Sequence, residues 1–243
     1  MATYNIHGLS RSIPEDIKRK IRQDSGFGCV ICGCGIFEYE HIDPEFCDAK
    51  EHDPEKMTLL CPTCHGKVTR GIVSKQTVIR AKKNPMSLQN GFSNDWFDFS
   101  PDKTPILTFG NTTFEECQIP IQIDNIPIIQ FKPPLIPNTP FLLSGIICDK
   151  RGEKIIEIID NEWRAFNNNW DMIFVGKLLT VRDATGDVVL SLKVDPPNGI
   201  IIEKLKMFVM GQRILITAKK LVINGASLVG MAIDGFRVAI SIS

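Results

Sequence analysis

The sequence predicts an α+β protein of two parts, a small cysteine-stapled domain over residues 1–84 and, beyond a linker at 85–105, an all-β domain over 106–243. Three observations carry this. Six of the eight cysteines fall between Cys29 and Cys64. The helix signals, Ile13, Ile17 and Ile21 at a spacing of four with a cap pattern at Ser12, fall in the first ninety positions. From Ile119 onward nearly every segment is a short β-type run bounded by turn residues.

The first element is a helix over Ile13–Gln23. Ile13, Ile17 and Ile21 recur every four residues and share one face, and Ser12-Ile-Pro-Glu15 has the pattern of a capping box. Lys18, Arg19, Lys20 and Arg22 cover the rest of that helix, either as a solvated basic face or as phosphate contacts. Gly26–Gly28 end it and lead into Cys29-Val-Ile-Cys32-Gly33, a knuckle turn whose last residue tolerates positive φ. Phe37–Ile42 alternates as a strand does, and Asp43-Pro44 stops it. Met57–Cys61 reads as a second strand entering a second knuckle, Cys61–Cys64. A short helix over His65–Gly71 follows, then another from Ser74 to about Lys83, closed by Asn84-Pro85.

The polar stretch from Pro85 to Pro105 is the linker. Strands are then expected at Ile119–Ile123, Phe141–Cys148, Lys154–Ile159, Asp171–Arg182, Val188–Val194, Ile200–Glu203, Met207–Val209, Ile214–Thr217, Leu221–Ile223 and Phe236–Ile242. Turn signals such as Asn224-Gly225 and Asp234-Gly235 separate them. Such a series builds a sandwich-like domain, with a parallel β-helix as the alternative. Trp163 and Trp170, in polar surroundings, either anchor a partner or pack over a sheet end. The domain has no concentrated set of chemical groups, so binding or assembly, through a protein partner or as a homo-oligomer, is its expected contribution.

Charge excludes little: 28 basic and 28 acidic residues cancel, so no partner is forced by the total. The start of the chain lacks a secretory pattern and no apolar run reaches membrane-span length, which predicts a cytoplasmic protein without a membrane partner. A reducing compartment makes metal ligation the expected use of clustered cysteines. Cys29, Cys32, Cys61 and Cys64 form two Cys-x-x-Cys pairs with 28 residues between them. Four soft thiolates in that arrangement are the ligand set of a closed structural Zn2+ site. Cys34 and Cys47 lie outside any paired turn, and Cys117 and Cys148 stand alone as core residues.

Three of the four histidines, His41, His52 and His65, fall inside or beside the cysteine frame. Cys29-Val-Ile-Cys32-Gly33, Tyr39-Glu-His-Ile-Asp-Pro44 and Leu59-Leu-Cys-Pro-Thr-Cys-His65 together resemble the HNH, or ββα-metal, endonuclease family. The resemblance spans about residues 10–84. It implies a metal-dependent endonuclease that hydrolyses phosphodiester bonds, DNA first, leaving 5′-phosphate and 3′-hydroxyl ends. His41 matches the general base, and Glu40 and His65 match the ligands of a catalytic Mg2+ or Mn2+. The chemistry suits the residues: a neutral imidazole takes a proton near pH 7, and a carboxylate and an imidazole hold a hard cation with positions left open.

One position departs from the family. Its middle residue, usually Asn or His, falls on Lys56, whose ammonium donates but cannot accept. Bracing of the base then passes to His52 or Asp53, or activity is lost; Lys56 itself is a phosphate contact or a solvated loop residue. The alternative function is a catalytically inactive zinc-stabilised adaptor. Residues 1–90 hold 13 Lys and Arg against 11 Asp and Glu. The positives group at Lys18, Arg19 and Arg22 and again at Lys67 and Arg70, the expected nucleic-acid contacts.

Overall fold

The computed structural model describes residues 4–243. The chain is mixed α+β and strand-dominated, with 43% of residues in strands and 15% in helices. It divides into two compact units, the first running through Asp95 and including Trp170–Ile173, the second formed by Trp96–Asn169 and Phe174–Ser243.

In the first unit, α1 spans Glu15–Asp24. Ile13, Ile17 and Ile21 pack against Met57 and Leu59, as their spacing requires. The capping box does not form. Pro14 takes the N-cap place without a side-chain cap, and the Glu15 carboxylate turns to Arg22 at 2.7 Å, a stronger charge-assisted partner than a neutral amide. β1 (Glu38–His41) and β2 (Met57–Leu60) pair antiparallel, with Glu40 opposite Thr58 and His41 opposite Met57. α2 (Pro62–Thr69) begins three residues earlier than expected, because Cys61 caps it and Pro62 occupies its first position. α3 (Lys75–Lys83) starts where Ser74 predicts, the Ser74 hydroxyl accepting from the Thr77 amide at 3.2 Å.

Part of the expected linker is structured. α4 (Met86–Asn90) and β3 (Phe92–Trp96) lie within it. The Met86 amide donates to the Val30 carbonyl at 3.0 Å and the Gly35 amide to the Asn94 carbonyl at 2.9 Å. Residues 86–95 therefore complete the first knuckle instead of leaving it. Gly28 is required there: a Cβ would overlap the Ser87 hydroxyl and sit 2.8 Å from the Gly33 carbonyl oxygen.

The remaining strands are β4 (Ile106–Phe109), β5 (Thr112–Glu115), β6 (Ile119–Ile123), β7 (Ile126–Lys132), β8 (Leu142–Cys148), β9 (Lys154–Ile159) and β10 (Glu162–Phe166). They continue as β11 (Asp171–Val175), β12 (Leu178–Arg182), β13 (Val188–Asp195), β14 (Gly199–Val209) and β15 (Gln212–Thr217). The last four are β16 (Lys220–Ile223), β17 (Ala226–Leu228), β18 (Ala232–Asp234) and β19 (Val238–Ile242). One sheet runs β19-β6-β7-β8-β9-β10 and the other β12-β13-β14-β15-β16-β17. Their sequential ladders are antiparallel, while β4 with β14, β18 with β5 and β19 with β6 pair parallel. The parallel β-helix alternative does not describe these ladders.

Ile121, Ile129 and Ile147 from the first sheet and Ile202, Leu205 and Ile214 from the second line one small internal cavity. The second unit is thus sandwich-like, two sheets sharing an apolar core. Ile200–Glu203 and Met207–Val209, read as separate strands, are one strand of 11 residues. Lys204 and Lys206 interrupt the apolar run only on its outer face, while Leu205 stays buried between them. Trp163 lies in β10, 1% exposed and stacked on Phe174. It is core, not a partner anchor.

Candidate metal centre and active site

Both knuckles deliver their thiols to one point. The Cys29 amide donates to the Cys34 carbonyl and the Gly33 amide to the Cys29 carbonyl, each at 2.8 Å, with Gly33 at φ 81°. On the other side the Cys64 amide donates to Cys61 Sγ at 3.3 Å, so helix capping and thiol placement are the same contact. All four sulfurs lie within 4.8 Å of one another, with Cys32–Cys61 at 3.7 Å and Cys32–Cys64 at 3.8 Å. A tetrahedral site with Zn–S bonds of about 2.3 Å has S···S edges of about 3.8 Å. The residues fit the ion.

Cys29 Sγ accepts hydrogen bonds, first from Cys32 and further from backbone amides; these outweigh burial and draw its thiol below the usual range. Four converging thiols cannot all ionise without a cation, a charge that a structural metal such as zinc would supply. Val30, Ile42, Leu60 and Val78 wrap the group in apolar packing. Cys34 stays outside it, its thiol 3.0 Å from Asp95 Oδ2, and Cys47 is exposed. Cys117 and Cys148 are buried, as expected of core residues.

His65, next to Cys64 in the first turn of α2, stands between two carboxylates. Its Nδ1 is 2.6 Å from Glu38 Oε2 and its Nε2 is 3.1 Å from Glu40 Oε2. Glu38 and Glu40 are two residues apart on β1 and so face the same way. Glu38 escaped the sequence reading, although that i, i+2 spacing from Glu40 was the available signal. A neutral His65 that donates from Nδ1 to Glu38 turns the lone pair of Nε2 toward an anionic oxygen. Two acceptors at 3.1 Å require something positive between or on them, either a proton or a metal ion. Burial, the largest influence, pushes the Glu40 carboxyl up, partly offset by His65.

His41 ends β1 and is 8% exposed. It lines a cavity of about 380 Å³ together with Glu40, Glu45 and Lys75, and a second of about 240 Å³ with Asp48, Asp53 and Lys56. Its Nε2 lies 3.2 Å from His52 Nδ1, and its ring packs 5.5 Å from that of Phe46. Burial first, then His52 and Arg11, lowers its pKa to about 4, which keeps the imidazole neutral at pH 7.

Of the two residues expected to brace His41, His52 makes the contact. Asp53 instead caps the 3-10 turn Pro54–Lys56 by accepting from the Glu55 amide at 2.9 Å, and also pairs with Lys56 at 3.3 Å. Of the basic residues expected at phosphate, Arg22 is misassigned: it is 0% exposed and its guanidinium is taken by Asp171, Glu15 and Tyr39. Arg19 stacks over Trp170 at 4.5 Å and lies 3.4 Å from Asp171, while Lys18 sits 3.9 Å from Glu15. Lys67 and Arg70, at the end of the helix that carries His65, are exposed.

Comparison with protein-family models, with curated proteins and with solved structures finds no match. Among the described residues no helix is long and apolar enough to cross a membrane.

Proposed function

We propose that the first unit is a metal-dependent endonuclease of the HNH type, hydrolysing phosphodiester bonds in nucleic acid, with DNA the first substrate to test. The observation that carries this is the pair of facing acceptors, His65 Nε2 and Glu40 Oε2 at 3.1 Å, placed directly beside the four-thiol group. When bound there, Mg2+ or Mn2+ supplies a positive charge for a phosphate oxygen and the leaving oxygen. The chain's own residues do the rest. His41, neutral and adjacent to Glu40, takes the proton from the attacking water. Lys67 and Arg70, exposed at the end of the helix that carries His65, attract the phosphate backbone. The thiol group holds zinc for folding and takes no part in the chemistry.

Burial of His41 favours a second function, an inactive zinc-stabilised adaptor, because a base must reach its water. Incubation with supercoiled plasmid and Mg2+ or Mn2+ separates the two. Cleavage that His41→Ala abolishes supports the nuclease. Cleavage unchanged by that substitution removes His41 from the mechanism, and no cleavage of DNA or RNA with either ion supports the adaptor.

A further inference from the structure

Three hydrogen-bonding groups from distant stretches of the first unit stand in a line. His52 Nε2 is 2.9 Å from the Ser10 carbonyl oxygen, and His52 Nδ1 is 3.2 Å from His41 Nε2. A carbonyl oxygen only accepts, so His52 Nε2 carries a proton. In a neutral His52 the other nitrogen, Nδ1, is then an acceptor, and the atom facing it must donate. We infer that the Ser10–His52–His41 chain holds His41 in the single tautomer protonated at Nε2, so that Nδ1 carries the lone pair and His52 is the positioning residue for the base.

The surroundings fix this line in place. Asn5 Nδ2 donates to the Phe46 and Ala49 carbonyls, each at 2.6 Å, tying the start of the chain to the loop that bears His52. The Arg11 guanidinium lies 4.5 Å over the Phe46 ring, and that ring packs on His41. His52 is itself buried, which excludes the water that would compete for its nitrogens. Lys56, at the position the family pattern gives to the brace, cannot accept a hydrogen bond and points its ammonium to Asp53. His52 supplies the acceptor that Lys56 lacks.

The part of this inference that concerns catalysis rests on the nuclease reading; the tautomer does not. In the reaction, a water oxygen forms the new bond to phosphorus while its proton passes to His41 Nδ1. The bond from phosphorus to the 3′ oxygen breaks with its electron pair on that oxygen, which takes a proton from solvent. The resulting imidazolium keeps its Nε2–H on His52, so the brace holds throughout.

The test is NMR of the 15N-labelled, zinc-loaded full chain at neutral pH. A nitrogen–nitrogen coupling across the hydrogen bond is expected between His41 Nε2 and His52 Nδ1, with the proton attached to His41. A proton on His52 Nδ1, or no coupling while both rings are resolved in folded protein, overturns the inference. Two variants extend it. His52→Asn retains an acceptor near the position of Nδ1, whereas His52→Phe fills the space without one. His41 is expected to keep the shifts of one tautomer in His52→Asn and to show averaged shifts in His52→Phe. In plasmid cleavage, His52→Phe is expected to lower kcat roughly 10- to 100-fold with KM little changed, and His52→Asn to restore most of it. Equal kcat in wild type and His52→Phe overturns the positioning role. Coupling in a wild type that cleaves nothing upholds the tautomer and sinks the nuclease reading alone.

Discussion

Arg22 and Asp171 form a buried, two-pronged ion pair within the first unit: Nε donates to Oδ1 at 2.8 Å and Nη2 to Oδ2 at 2.7 Å, with the two side chains 0% and 4% exposed. Tyr39 and Glu15 take further guanidinium hydrogens at 2.6 and 2.7 Å. Such a pair gains little over an apolar replacement of both partners, but removing one strands the other charge out of water. Asp171→Ala is therefore expected to destabilise the first unit by about 3–5 kcal/mol, read from urea unfolding. A loss under ~1 kcal/mol would show that the guanidinium finds water or Glu15 instead.

The thiol group makes a separate prediction about metal. Purified protein should contain about one zinc per chain, and a chelator should unfold the first unit, since a hairpin with two four-residue strands buries too little to stand alone. Cys61→Ala removes both a ligand and the acceptor that caps α2, so it should lose zinc and helix signal together. Elemental analysis and far-ultraviolet circular dichroism read the two effects. A folded, zinc-free wild type would end the structural-metal assignment.

These predictions divide along what could be read in the sequence. The cysteine pairs were legible because a knuckle is local, its geometry set by two intervening residues and a glycine. The Glu40–His65 juxtaposition became visible only through a family resemblance, because 24 residues separate them and only the β1–α2 packing joins them. Arg22 was misread because its partner lies 149 positions away, and a basic helix face looks the same whether solvent or a distant aspartate covers it. His52 and Asp53 were indistinguishable as braces, since one loop residue more or less reverses which side chain turns inward. In the β domain, Asp124-Asn125 and Asp160-Asn161 take the two left-handed conformations of tight hairpins (φ 48° and 64°, 47° and 75°), so β7 and β10 were missed where no Asn-Gly marked the turn.

Acid should weaken the first unit through His41. Its folded pKa of about 4 lies below the ordinary histidine value of 6.5, so the unfolded chain binds the proton more readily. The stabilisation from keeping His41 neutral is complete above about pH 6.5, falls as pH drops, and is gone below about 4. It amounts to at most ~3 kcal/mol, the free-energy equivalent of that displacement. Urea midpoints between pH 7 and 4.5 should therefore decline. His41→Phe, which has nothing to titrate there, should decline less; an identical decline would place the acid sensitivity elsewhere, first of all at the zinc thiolates.

Glu38 gives the sharpest test of the proposed catalytic ion. Its carboxylate takes the Nδ1 proton of His65 at 2.6 Å and so aims Nε2 at Glu40, the arrangement by which an outer carboxylate orients a metal-binding histidine. Glu38→Ala should leave the zinc content unchanged, because the four thiols do not touch it. It should weaken Mn2+ binding to the zinc-loaded protein by roughly 10- to 100-fold, measured by calorimetry or by the electron paramagnetic resonance of free Mn2+. Glu38→Gln accepts through its amide oxygen and should fall between the two. Glu40→Ala, which removes a ligand outright, should abolish that binding. If Mn2+ binds equally well to wild type, Glu38→Ala and Glu40→Ala, the charge between Glu40 and His65 is a proton, and the three residues form an ion-paired cluster without metal.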